Sequence, residues 1–221
     1  MRTYLFKNPA WFSWPYQEAV WRIPTDEKVI YLTFDDGPDP EATPWVLDQL
    51  ERYKAKATFF CVGQNAEKHP EIMRRLVESG HVIGNHTYSH KNGWKTDKQE
   101  YLEEVQKGEQ SLKVYTNQKL FRPPYGNIRF SQLRSLKKAG YEVIMWSHLS
   151  GDFDPNVNIQ KSIKSLKQAE PGSILVFHDS QKAFKNLQQM LPEVLKYFEG
   201  EGLVMRVVPD SIHSKSRVHL F

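Results

Sequence analysis

Short apolar runs alternate with segments of helical periodicity along most of the chain, and this alternation constrains the fold more than any other feature. Residues 29–34, 57–62, 82–84, 120–122, 141–146, 173–177 and 203–208 read as strands. Between them, helical patterns run from Pro44 through Trp45, Leu47 and Leu50, and over 70–78, 97–115, 131–139, 159–167 and 184–198. In 97–115 the apolar positions are Leu102, Val105, Leu112 and Val114. The strands are nearly continuous in apolar residues, as expected when both faces are covered. The pattern therefore predicts a parallel sheet clothed in helices. About seven strand–helix units fit the length, which suits an α/β fold of the distorted, incomplete (β/α)7 TIM-like barrel type better than a full ring of eight. An open, doubly wound sheet is the alternative.

At 221 residues the chain is expected to form a single domain, 1–221, with 1–27 as an N-terminal extension packed on it. Within that extension Trp11, Phe12, Trp14 and Tyr16 are expected to cover the bottom of the barrel rather than flank a groove. Apolar residues make up 39% and charged residues 25%, the balance of a soluble globular protein. The net charge is +4, but Lys and Arg are scattered among acids, so a nucleic-acid partner is not expected. Asn8, Pro9, Ser13 and Pro15 interrupt the first twenty residues, which resemble neither a signal peptide nor a membrane span; a cytoplasmic location is expected. Cys61, the lone cysteine, reads as a buried, inert thiol.

Polar clusters follow these apolar runs, at the strand ends where such barrels place their sites. In Thr33-Phe34-Asp35-Asp36-Gly37-Pro38, adjacent acids leaving a strand point in different directions, so one can ligate a cation while the other accepts a proton. A tight turn with capping acids would account for the pair equally well. In His86-Thr87-Tyr88-Ser89-His90, two imidazoles four apart can face one metal if the segment is helical or tightly turned. With eight histidines in the chain that spacing alone is weak, but Asp36 would complete a three-ligand set with open positions, the pattern of a catalytic metal site. Arg122-Pro123-Pro124-Tyr125-Gly126 is a stiff turn able to hold an N–H towards developing negative charge. Asp152-Phe153 and Phe177-His178-Asp179 complete the set, although a lone histidine at a strand end is more often packed or capping than catalytic.

Taken together, Thr33–Pro38, His86–His90, Arg122–Gly126, Trp146 with Asp152-Phe153, and 174–179 resemble the motifs of the polysaccharide deacetylases with the NodB homology domain, carbohydrate esterase family 4. The resemblance spans about residues 28–208. It implies a distorted barrel, an acetylated carbohydrate as substrate, and one divalent metal ion, usually zinc, with cobalt, nickel or manganese as substitutes. By the same resemblance Asp35 matches the general base, and Asp36, His86 and His90 the metal ligands. Arg122 matches the residue that orients the base, and Tyr125 lies where a main-chain N–H serves the oxyanion hole. His178 matches the general acid and Asp152 the carboxylate that tunes it, while Phe153 and Val176 line the acetyl pocket. Three positions depart from the family pattern: Leu149 stands where a further acid is frequent, Phe153 where Trp is, and Val176 where Leu is. The implied reaction is removal of acetyl groups from N-acetylated sugars. O-deacetylation and hydrolysis of a small amide remain open, and a silent carbohydrate-binding protein is disfavoured because the metal triad and the acid–base residues are intact.

Overall fold

The structure, a computed structural model, describes residues 5–8, 16–210 and 212; Trp11, Phe12 and Trp14 lie outside these. Among the described residues, eight parallel strands are interspersed with seven α-helices. The strands are β1 (Val29–Asp35), β2 (Thr58–Cys61), β3 (Val82–Asn85), β4 (Leu120–Phe121), β5 (Glu142–Val143), β6 (His148–Leu149), β7 (Ile174–His178) and β8 (Val204–Arg206). The helices are α1 (Ala42–Arg52), α2 (Gly63–Lys68), α3 (Pro70–Glu78), α4 (Lys98–Leu112), α5 (Phe130–Lys138), α6 (Ile159–Leu166) and α7 (Phe184–Gly200).

Strand order is β5-β4-β3-β2-β1-β7-β6, so β1 to β5 follow one another, and β6 lies beside β7, around a curled half-barrel whose open ends are β5 and β6. That excludes the doubly wound alternative, whose strand order reverses at a switch point. The departure from a closed barrel lies in β8. It pairs with the first half of β1, Val29 opposite Val204, while β7 pairs directly with the second half, Asp35 opposite His178. The seam between β5 and β7 is crossed by the N-terminal extension, where Val20 bridges to Ile144 and Arg22 to Ser173.

All seven residues of β1 are buried, and their alternation explains the site. Ile30, Leu32 and Phe34 pack outward against α1 and α7 through Val46, Leu50, Leu191 and Leu195. Val29 and Tyr31 point into the barrel with Phe60, Leu120, Ile144 and Ile174. Because successive side chains alternate between faces, Thr33 and Asp35 continue the inward row at the C-terminal end. The same parity carries Ile174 to Val176 and His178 on β7, and Leu120 to Arg122 after β4. Apolar residues thus fill the lower barrel and polar ones its upper rim.

Several elements differ from expectation. The run 141–146 does not form one strand: Glu142–Val143 pairs with β4, Ile144 bridges to Val20, Trp146 turns towards the rim, and a second short strand forms at His148–Leu149. Asp152 therefore follows β6, not β5. Helix α2 lacks an amphipathic signature because it has six residues and buries Gly63 and Ala66 alone. Helix α4 starts after Asp97, whose carboxylate accepts from the Gln99 and Glu100 amides, and it ends at Leu112, leaving Val114 74% exposed in the following turn. No helix among the described residues is long and apolar enough to cross a membrane.

Candidate active site

Three ligand-type side chains converge above the barrel. Asp36 follows β1 in a left-handed conformation (φ 80°), which turns its carboxylate away from the inward row that Asp35 occupies. Its Oδ1 lies 3.0 Å from His90 Nε2 and 3.6 Å from His86 Nε2. Four-coordinate zinc with bonds of about 2.0–2.1 Å separates its ligand atoms by roughly 3.3 Å, so these spacings fit one cation held by all three. Among the described residues, this is the one group of three such donors within 4.8 Å of one another. Burial works against the charge of Asp36, but the His86 and His90 side chains and the nearby His178 hold its carboxyl well below the usual range.

The two histidines are brought together by a tight turn, not by a helix. Thr87 (φ 65°) and His90 (φ 59°) are both left-handed, so with Asp36 three non-glycine residues at one centre adopt a costly backbone conformation. The turn is tied down elsewhere. Asn85 Oδ1 accepts from the Thr87 N–H, and Glu104 of α4 accepts from both the N–H and the hydroxyl of Ser89, each at 2.8 Å. Gly108 lets α4 approach: a Cβ there would stand 2.7 Å from Asn85 Oδ1. His86 Nδ1 lies 2.8 Å from the Arg122 carbonyl, to which it donates, and this leaves Nε2 unprotonated towards the cation position.

Asp35 stands beside this centre, 4% exposed, and accepts a 2.7 Å hydrogen bond from Arg122 Nη1. Arg122 is fully buried. It also donates from Nη1 to the Thr33 hydroxyl (2.6 Å), from Nε to the Ile144 carbonyl and from Nη2 to the Met145 carbonyl (both 3.0 Å), and it lies over the Phe60 ring at 4.2 Å. A guanidinium held at four points cannot swing, so the carboxylate paired with it is fixed as well.

Across the cleft His178 Nδ1 meets Asp152 Oδ1 at 2.7 Å, while the other Asp152 oxygen accepts the His178 main-chain N–H at 2.9 Å. Burial opposes charge on this imidazole. The Asp152 carboxylate and its hydrogen bond, with the fields of Asp36 and Asp35, override that and raise the pKa to about 9. His81 and His148 show the contrast: burial and nearby cations bring both down to about 4, as for neutral packed histidines.

These groups open onto a cavity of about 430 Å³. Its apolar wall holds Val176, Phe153, Leu149 and Trp146, and Phe153 meets His178 edge to face at 5.0 Å. Tyr125, left-handed at φ 61° and 64% exposed, stands over His90 at 4.6 Å between ring centres. Trp94, 56% exposed, stands outside the lining and donates to the Ile128 carbonyl. All ten sequence-predicted site residues are therefore brought to one rim. Asn85, Glu104 and Gly108, which fix the loops, were not anticipated, and neither were Leu5, Asn8 and Lys182, which line the cavity. For the loop-fixing residues the available signal was the recurrence of Glu104 and Gly108 on one face of α4.

Asp179, next to His178, is fully enclosed against the other side of the acid pair. Burial and the fields of Asp36 and Asp35 push its carboxyl well above the usual range, against the hydrogen bond it accepts from Thr43 at 2.6 Å. Gly37 makes room for it: a Cβ there would lie 2.1 Å from Asp179 Oδ2. Cys61 is buried and its thiol is pushed up by burial and by Asp179 and Asp35, so it has no thiolate chemistry to offer.

The family model for polysaccharide deacetylases matches residues 22–144. A peptidoglycan-N-acetylglucosamine deacetylase of Bacillus cereus is 34% identical over 80% of this chain and 87% of its own length. A chitooligosaccharide deacetylase of Azorhizobium caulinodans is 36% identical over 72% of this chain and 77% of its own. Among solved structures, a peptidoglycan N-acetylglucosamine deacetylase in complex with an N-hydroxybenzamide derivative superposes with a TM-score of 0.82 at 34% identity, covering 90% of this chain and 94% of that one.

Proposed function

Because this chain belongs to the polysaccharide deacetylase family, and its cleft sets a three-ligand cation site beside a fixed carboxylate and a protonated imidazole, we propose that it removes acetyl groups from the N-acetylated sugars of a polysaccharide or oligosaccharide. The observation that carries this reading is the division of labour across the cleft. Asp35, pinned by Arg122 at 2.7 Å, is placed to accept a proton, and His178, paired with Asp152 at 2.7 Å, is charged and placed to donate one.

Asp36, His86 and His90 would hold one divalent cation, and two imidazoles with one carboxylate favour zinc, with cobalt, nickel and manganese as substitutes. When bound, the cation supplies a nucleophilic water at neutral pH and polarises the acetyl carbonyl. The chain's own groups do the rest. Asp35 takes the proton of the attacking water while Arg122 keeps its carboxylate in place. The Tyr125 main-chain N–H faces the oxygen on which negative charge develops. His178 gives its proton to the leaving sugar nitrogen, and Asp152 stabilises the imidazole while it is charged. Val176, Phe153 and Leu149 wall the methyl group and keep bulk water from it. The products are acetate and a free amino sugar.

Acetate release from N-acetylglucosamine oligomers and from O-acetylated xylan tests the reading. The prediction is release from the amide substrates that Asp35→Asn abolishes while zinc is still retained. Release from the ester alone would reassign the reaction.

A further inference from the structure

Four consecutive residues, 62–65, bond to both loops that carry the cation ligands. The Val62 N–H donates to the Gly37 carbonyl at 2.9 Å, and the Asn65 side chain donates from Nδ2 to the Asp36 carbonyl at 2.8 Å. Between them, the Gly63 and Gln64 N–H groups donate to the Thr87 and Tyr88 carbonyls, both at 3.0 Å. The first amides of a helix have no partner inside it, and α2 gives its own to the His86–His90 turn. Close approach is possible because residue 63 is glycine: a Cβ there would stand 2.9 Å from Tyr88 Cδ2 and 3.1 Å from Gly108 Cα. Helix α2 buries Gly63 and Ala66 alone, so its place in the fold follows from what its N-terminal end holds, not from core that it fills.

Three of these four donors are main-chain amides, which any residue but proline supplies. Asn65 is the exception, so its bond is the one that the identity of the residue specifies. It falls on a strained position. Asp36 is left-handed at φ 80°, a conformation that is costly for any residue with a side chain and persists only where the surroundings hold it. The peptide before Asp36 is held through the Asp35 carbonyl, which accepts from the Asp179 N–H at 3.1 Å. The peptide after it is held through the Asp36 carbonyl by Asn65. With both planes fixed, neither dihedral of Asp36 can relax. Relaxation to negative φ would carry the carboxylate away from its place 3.0 Å from His90 Nε2.

Resting on the reading of Asp36, His86 and His90 as the cation site, we infer that Asn65 is a positioning residue for Asp36. It holds the backbone there so that the Asp36 carboxylate stays on the cation while Asp35 keeps its inward place. The test is the zinc affinity of the full-length protein, read by competition with a chromogenic chelator, in a double-substitution cycle. Asn65→Leu keeps the size of the side chain and removes its donor. Alone, it is expected to weaken zinc binding about tenfold, the lower end of what supports around a metal site contribute. In an Asp36→Ala background, where only the two histidines remain, the same change is expected to alter zinc affinity less than about twofold, because Asn65 acts through Asp36. Parent-like affinity in Asn65→Leu overturns the assignment. An equal loss in both backgrounds overturns it too, since a merely structural role weakens the site whether or not Asp36 is present. Asn65→Ser, too short to reach the carbonyl, reads the same cycle if the leucine variant does not fold. Unsubstituted protein that binds no zinc overturns the cation site, and this assignment with it. Zinc binding with the expected cycle but no acetate release upholds the assignment and removes the deacetylase reading alone.

Discussion

Replacing Arg122 with methionine isolates the interaction on which the position of Asp35 depends. The side chain is fully buried, and its donors serve the Asp35 carboxylate, the Thr33 hydroxyl and the Ile144 and Met145 carbonyls. Methionine replaces much of the volume but none of the donors. Removing one partner of a buried ion pair costs about 3–5 kcal/mol, because the other charge stays buried without compensation. Against a total stability of about 5–15 kcal/mol, that is a large share. Urea unfolding of the metal-free protein at pH 7 reads the loss as a lower midpoint at unchanged slope. Adding Asp35→Asn removes the stranded charge, so the double variant should recover about 1.5 kcal/mol or more relative to Arg122→Met alone. A single variant within about 1 kcal/mol of the parent, or a double variant no more stable than the single, would refute the claim that this pair is held together by mutual need.

Asp152→Asn removes the main support for charge on His178, whose pKa stands at about 9. The alkaline limb of the activity profile should therefore move to lower pH. The linked stability effect has a definite sign. Because the imidazole pKa is raised on folding, its pairing stabilises fully below about 6.5 and fades as pH rises through about 9. The stability gap between parent and variant, measured metal-free, should be widest below pH 6.5 and narrow above 9. Gly37→Ala drives a methyl group onto Asp179 Oδ2; thermal unfolding should show a loss of about 1–3 kcal/mol, as for other overpacked sites, with activity reduced. Glu104→Gln weakens the hold on Ser89 and so on the His86–His90 turn; zinc affinity by competitive titration should fall about 10–100-fold while far-UV circular dichroism stays unchanged.

The lower barrel was readable because its strands are buried on both faces: continuous runs such as 29–34 and 173–177 leave little room for another reading. The site residues were readable for a related reason, since a polar side chain directly after such a run has the rim as its place. Legibility failed where structure depends on contacts distant in sequence. The run 141–146 looks like one strand, yet Trp146 leaves the sheet to pack over Gly126, where a Cβ would come within 2.5 Å of the indole, and β6 is fixed by pairing with β7 and residues 5–8. The His86–His90 spacing was ambiguous because the turn depends on Glu104 and Gly108, fourteen or more residues away. Nothing in Leu5 or Asn8 marks them as cleft residues; the edge of β6 places them there.

The most direct test of the account is acetate release from an N-acetylglucosamine oligomer by protein stripped with chelator, then given one equivalent of zinc. One catalytic cation held by Asp36, His86 and His90 requires that release stop on stripping and return with that single equivalent, and that Asp36→Ala protein, stripped and given zinc in the same way, fail to recover. Release that persists at the original rate after complete metal removal would contradict it.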